Sequence, residues 1–257
     1  MRCNMNTLGD SHNVFKYVTM KGAKATLLNR TIQFTHPKDL NDPFDCLPAQ
    51  PCVEEAQGEV ERFKGGIAHP EAVDRNLKER APNHYLKLRE GFEIALSSFS
   101  DTKENLLMWS HYADSFKGCC LEFNPKQLLS SLSLVLPKFF PVTYDDKRPP
   151  MPVDGGQSSY KDEVLSILLT KSTIWEYEHE KRLFMSTSTD SKTYTLNGKW
   201  YRQFSEDALV SVSIGICASE NDIEDITSLC KRLFPQTTVY RTSPDHEKFE
   251  VKFSCAN

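Results

Sequence analysis

Apolar runs and polar breaks along the chain predict an alternation of strands and helices. The clearest strand is Leu209 to Cys217 (LVSVSIGIC), and Glu220 to Phe234 follows it with Ile223, Ile226, Leu229 and Leu233 at helical spacing over a charged remainder. Nearer the start, Val14 to Val18 and Thr31 to Phe34 have the β-branched and aromatic content of strands, with a short helix expected between them from Lys21 to Asn29. Phe92 to Phe99 reads as a strand ending at Ser100, and Glu104 to Ala113 as a helix that buries Leu106, Trp109 and Tyr112. Lys117 to Phe123 is expected to be a strand in which Gly118 turns the helix into extended chain. Leu134 to Tyr144 is expected to be extended, Tyr160 to Thr170 helical, and Arg182 to Ser186, Thr237 to Tyr240 and Phe249 to Phe253 strands.

Strands mixed with helices in this order predict an α+β fold. Its sheet should be mixed and mainly antiparallel, with a split sheet as the variant form, and with flanking helices. One domain over residues 1–257 is the default at this length. Three stretches do not fit a core. Residues 53–89 are rich in Glu, Lys and Arg and broken at Gly65-Gly66 and Pro82, which predicts a peripheral helical insertion. Residues 145–159 are rich in Pro and Gly and are expected to form a mobile surface loop. His36 to Asp45 contains Pro37 and Pro43 and predicts a rigid acidic loop.

Composition narrows the function classes. A 39% hydrophobic, 26% charged chain of net charge -4 is an ordinary globular protein, without the basic footprint that would make nucleic acid the first guess, although a local basic groove is compatible with it. No stretch reaches the 18 apolar residues of a membrane span and no secretory signal is visible in Met1 to Asp10, so a cytoplasmic protein with no membrane partner is expected. The eight cysteines contain no C-x-x-C, and Cys119 and Cys120 are adjacent, which favours reduced structural thiols over a disulfide framework or a metal site.

The densest chemistry lies in Ile174 to Arg182 (IWEYEHEKR). If it is extended, Glu178, Glu180 and Arg182 share one face, opposite Tyr177, His179 and Lys181. If it is helical, Glu178 meets Arg182 in an ordinary ion pair one turn away. Ser98 and Ser100 at a strand end could fix a ribose or diphosphate, or simply finish the strand. Asn41, Asp42 and Asp45 could meet a cation or a sugar hydroxyl, or bond their own backbone in Asx turns. His111, between two aromatics and with no second His nearby, reads as a satisfied semi-buried histidine.

Taken in order, Phe15-Lys16-Tyr17, Asn41-Asp42-Pro43-Phe44-Asp45, Ser98-Phe99-Ser100, Met108 to Ala113 with Gly118, Trp175 to Arg182 and Ile214-Gly215 resemble a large bacterial family known only as a domain of unknown function. Its usual pattern is LYKY, NDPFE, FS, MWxHYa, G and WxYExExR. This chain departs from it with Phe15 and with Asp45 for Glu. More distantly, a first-strand aromatic, a middle S-x-S and a late E-x-E are similar to the three motifs of ADP-ribosyltransferases, with Lys16 and Tyr17 standing where that superfamily usually has His or Arg.

The resemblance implies an enzyme acting on NAD and passing ADP-ribose to a macromolecular acceptor, as a toxin-like component of bacterial phage defence. Glu180 would stabilise the oxocarbenium-like centre and Glu178 would position or deprotonate the acceptor. Lys16, Tyr17, Asn41, Ser98, Ser100, Trp109, His111, Tyr112 and Arg182 would surround the NAD, with Tyr17, Trp109 or Tyr112 stacking on nicotinamide. Two alternatives stand beside it. One is a non-enzymatic defence or sensor module whose motifs hold the fold. The other is a metal-dependent nuclease using Asp42, Asp45, Glu178 and Glu180 as oxygen ligands.

Overall fold

A computed structural model describes residues 12–49, 89–150, 157–187 and 193–256. In chain order its strands are β1 (Val14–Val18), β2 (Thr31–Phe34), β3 (Ile94–Ser100), β4 (Cys119–Phe123), β5 (Phe140–Pro141), β6 (Thr143–Tyr144), β7 (Thr170–Lys171), β8 (Glu180–Ser186), β9 (Thr193–Leu196), β10 (Lys199–Gln203), β11 (Leu209–Ile214), β12 (Thr238–Pro244) and β13 (Val251–Cys255). The helices are α1 (Met20–Asn29), α2 (Leu106–Tyr112), α3 (Pro125–Leu132), α4 (Gln157–Leu169) and α5 (Glu220–Leu233). The fold is α+β, with mixed, mostly antiparallel pairing. Among the described residues no helix is long and apolar enough to cross a membrane.

Local chemistry explains the helix starts. Thr19, Asn105, Asn124 and Ser219 each accept a hydrogen bond from a first-turn amide of α1, α2, α3 and α5, and Pro125 begins α3, where its missing N–H costs nothing.

By its internal contacts the chain forms two compact units. The first comprises residues 1–34, 96–141 and 177–257. Its main sheet has the order β13-β12-β11-β4-β1-β3-β8-β5, with β11 and β12 parallel. Register sorts the side chains into two faces. Val14, Lys16, Leu121, Phe123 and Val212 point one way; Phe15, Tyr17, Cys120, Glu122 and Ser213 point the other. Helices α1 and α5 pack together, burying Ala23, Leu27, Ile226 and Cys230, and Lys24 bridges Asp222 and Asp225. Burial pushes the Cys119 thiol up and the Cys230 thiol up to about 12, so both stay protonated. Helix α2 covers the other face, where Trp109, Met108 and Ala113 pack with Tyr17, Cys120 and Val251.

The turn from α2 into β4 is tight. Asp114, Ser115 and Phe116 are all left-handed, with φ of 49°, 53° and 66°. A Cβ on Gly118 would lie 2.1 Å from the Val18 carbonyl oxygen, and one on Gly215 would lie 2.1 Å from that of Phe116. Close approach, rather than a positive φ, is what requires glycine at 118. A smaller sheet, β2-β10-β9, belongs to the same unit, and its β9–β10 hairpin turns through Asn197 and Gly198, both at positive φ as a type I′ turn demands.

The second unit comprises residues 35–95 and 142–176. The loop after Thr35 opens with a 3-10 turn, Pro37–Asp39, capped by His36, whose Nε2 meets the Phe92 carbonyl. The buried Arg89 guanidinium donates to the carbonyls of Pro37 and Pro43. Asp42 Oδ1 accepts from the Phe44 amide in an Asx turn, and Asp45 lies 3.9 Å from the buried Lys171 ammonium, which sits 5.0 Å over the Trp175 ring.

Two expectations change and a third falls almost wholly outside the described residues. Leu134 to Tyr144 is not one extended segment: only the two-residue strands β5 and β6 are regular, and β5, with Pro141, stands at the sheet's edge, where a proline is tolerated. The irregular stretch expected over 145–159 ends before Gln157, where α4 begins. The insertion expected over 53–89 lies outside the described residues apart from Arg89, which is buried.

Candidate functional site

In the first unit the chain between β3 and α2 is tied down on all sides. The Tyr17 hydroxyl donates to the Thr102 carbonyl at 3.1 Å and the Trp109 indole N–H to the Lys103 carbonyl at 2.8 Å. The Asn105 side chain caps α2 with its oxygen and donates from its nitrogen to the Tyr177 carbonyl at 2.7 Å. That last bond fixes the chain just before β8 against the start of α2.

Two pairs follow from this placement. His111 Nδ1 lies 2.9 Å from the Tyr177 hydroxyl, and the Tyr112 hydroxyl donates to Glu178 Oε1 at 2.5 Å. His111 is exposed, Tyr112 and Tyr177 are half-buried, and Glu178 is 3% exposed. The next residue, His179, is left-handed at φ 45°, uncommon for a residue with a Cβ. Its carbonyl accepts from the Asp101 amide and its ring nitrogen lies 4.0 Å from the Asp101 carboxylate. This kink breaks the two-residue alternation, so Glu178 and Glu180 do not continue one face. Glu178 ends a 3-10 helix (Thr173–Glu178), while Glu180 and Arg182 sit in β8.

Glu180 has different company. Arg182 Nε and one terminal nitrogen donate to its two oxygens at 2.8 and 3.0 Å, with Arg182 0% and Glu180 5% exposed. Lys16, on the strand face opposite Tyr17, donates to Ser97 Oγ at 2.9 Å and to the Ser98 carbonyl at 3.0 Å. Burial lowers its pKa to about 8, against a raising influence from the Glu180 carboxylate. Arg182 is therefore a structural neighbour of Glu180.

The set expected around NAD thus divides. Tyr17, Trp109, His111, Tyr112 and Glu178 gather around α2, whereas Lys16, Glu180 and Arg182 form a buried charged group with Ser97. Tyr17 and Trp109 meet edge to face at 5.4 Å, and Trp109 is 0% exposed, so its ring is core. Ser100 is buried, shares its register position with Phe15, and accepts from the Thr102 amide. Ser98 is half-buried, and by alternation it shares the Ser100 face rather than the Ser97 face. Asn41 is exposed and belongs to the second unit, as do Asp42 and Asp45. His111, expected to be semi-buried, is exposed: it lies in the last turn of the short helix, with its ring edge to face with that of Tyr177. Sequence reading missed Asn105, Ser97 and Tyr177. An Asn before an apolar helix pattern was a visible capping signal for the first.

Among the described residues no group of three or more His, Cys, Asp and Glu side chains is placed to hold a metal ion.

A family model described as a protein of unknown function (DUF2971) matches residues 108–183, from the middle of α2 to the middle of β8. Over that stretch the chain is similar to a family of proteins of unknown function. No curated protein and no solved structure matches the chain.

Proposed function

We propose that the first unit is an ADP-ribosyltransferase-like enzyme that acts on NAD and passes ADP-ribose to a macromolecular acceptor, in a setting of bacterial phage defence. The observation that carries this reading is a buried carboxylate, Glu178, held by the Tyr112 hydroxyl beside an exposed His111–Tyr177 pair. It is supported by the order of the sheet, in which β1 with Lys16 and Tyr17, β3 with Ser98 and Ser100, and β8, which Glu178 closely precedes, lie side by side.

The chemistry would run as follows. The bond between nicotinamide nitrogen and ribose C1′ breaks, and nicotinamide leaves as a neutral ring with the bonding pair. The positive charge on the ribose is met by Glu178, which acts more strongly in a buried setting than it would in water. An acceptor hydroxyl, amine or water adds to C1′ and gives its proton to His111, the exposed base of the set. Stacking on nicotinamide falls to Tyr112 or Tyr177, since Tyr17 and Trp109 are engaged with each other. In this reading Glu178 takes the charge-stabilising role that the E-x-E pattern gave to Glu180.

The test is incubation of the protein with NAD labelled in the adenosine half, with and without cell lysate. Nicotinamide release and label on a lysate component are expected, and Glu178→Gln should lose both. No turnover by the folded wild-type protein overturns the reading.

A second reading is favoured by one observation: both oxygens of Glu180 are held by Arg182 inside the core. On this reading the chain is a non-enzymatic defence or sensor module and the acidic motif holds the fold. Loss of stability in Glu178→Gln, with no NAD turnover to lose, would favour it.

A further inference from the structure

Lys103 stands in the irregular chain between β3 and α2, and its ammonium is surrounded by rings. Nζ lies 5.8 Å from the Phe15 centroid, 5.3 Å from that of Tyr240 and 5.1 Å from that of Phe253, and 3.2 Å from Glu122 Oε2. Rings within about 6 Å attract a cation through their negative faces. Single contacts of this kind are common in proteins; three rings converging on one ammonium with a carboxylate beside them make a receptor.

The receptor is assembled from β1, β4, β12 and β13. Phe15 is paired in register with Glu122, Glu122 with Ser211, and Ser213 with Tyr240, so all the groups stand on the face that α2 covers. Burial pushes the Glu122 carboxyl up, but hydrogen bonds from Ser211 and Asn13 and the Lys103 ammonium outweigh it and hold the group below the usual carboxylate range. With Lys103 seated, the carboxylate is thus charged, and Ser211 and Asn13 hold it in place. The two side chains are 24% and 13% exposed, which leaves the receptor open to a small solute.

We propose that Phe15, Tyr240, Phe253 and Glu122 form a receptor for an alkylammonium head, with Lys103 as its resident ligand. The seating of Lys103 positions α2 through the bonds its neighbours make. The Lys103 carbonyl receives the Trp109 indole, Thr102 receives Tyr17, and Asn105 caps α2 and holds Tyr177. Lys103 is a positioning residue: it touches neither member of the His111–Tyr177 and Tyr112–Glu178 pairs, but fixes the helix that presents His111 and Tyr112. This seating stands independently of the NAD reading; only its consequence for turnover rests on that reading.

The test is amide hydrogen exchange over residues 106–112 in Lys103→Ala, Lys103→Arg and Phe253→Ala, with and without n-propylammonium chloride against matched sodium chloride. Lys103→Ala should raise exchange about tenfold, and Lys103→Arg should stay near wild type, because a guanidinium stacks on rings as well. Propylammonium should restore protection in Lys103→Ala, and should do nothing to wild type or to the Lys103→Ala, Phe253→Ala double variant. Should Lys103→Ala not fold, Phe253→Ala keeps the ion pair while removing one ring of an edge strand, and its exchange should rise about threefold. Unchanged exchange in either variant, or a folded Lys103→Ala that the cation does not rescue, overturns the proposal. Since exchange is read without NAD, a failure of the NAD reading leaves this outcome intact.

Discussion

Glu178 and Glu180 are two residues apart and about equally buried, yet different donors reach them: a phenol on Glu178 and a guanidinium on Glu180. Glu180 is matched to a guanidinium on both oxygens, with Lys16 nearby, so its charge is compensated by charge. On Glu178 the Tyr112 phenol, a neutral group, donates to Oε1. A buried carboxylate paired with a cation adds to the integrity of the core and offers little field to a ligand. One held by neutral donors costs more to bury and offers more to a nearby positive centre. Burial alone does not tell the two carboxylates apart; the donors that reach them do.

The strongest way to break the contrast is Arg182→Met. Removing one partner of a buried pair leaves Glu180 without its bidentate donor and should cost about 3–5 kcal/mol in denaturant unfolding. A loss under about 1 kcal/mol would mean that the pair is dispensable and that Glu180 is available for other work.

Glu178→Gln is the counterpart. The amide oxygen can still accept from Tyr112, so the stability change should stay near 1 kcal/mol. NAD turnover, read as nicotinamide release, should fall about 10²- to 10³-fold, the range for removing one electrostatic stabiliser.

Lys16→Met sharpens the Glu180 side through pH. Burial lowers the Lys16 pKa from 10.5 to about 8, so the unfolded chain holds that proton more tightly than the folded one. The charged form therefore destabilises the fold below about pH 8, and this cost fades as the pH rises from about 8 to 10.5. Wild type should gain stability relative to Lys16→Met across that window in paired denaturation curves, and parallel curves would contradict it. The smallest effect is expected at the exposed His111, where His111→Asn should change stability by no more than about 0.5 kcal/mol in thermal melts.

Much of the fold was legible because local signals agreed with tertiary demands. The strand Val14–Val18, the helix Glu220–Leu233 and the strand Leu209–Ile214 all fall within the periodic patterns that predicted them. Helix α3 went unread although Asn124-Pro125 is a cap followed by a helix-starting proline, and the β9–β10 hairpin went unread although Asn197-Gly198 is a strong short turn signal. The acidic stretch was legible as chemistry but not as geometry. A period of two assumes regular backbone, and the left-handed His179 re-aims the chain between the two glutamates. Lys16 was noticed for its motif, whereas its partner Ser97 was passed over for Ser98 and Ser100, because only cross-strand register decides which serine faces the lysine.

The turn at Asp114, Ser115 and Phe116 also bears on the order in which the molecule can assemble. Three consecutive left-handed residues cost roughly 3–6 kcal/mol over the right-handed form, more than so short a peptide can recover by itself. Amides 115 to 118 bond back to the carbonyls of Ser110, Trp109, Asp114 and Ala113, and two further bonds come from far along the chain: the Phe116 carbonyl accepts from the Cys217 amide, and the Gly118 carbonyl from the Gly215 amide. The turn therefore gains its full set of bonds only once β11 has docked beside β4, so the final orientation of α2 is expected to be a late event of folding. An isolated fragment that ends before β11 would be expected to carry the helix without its correct angle.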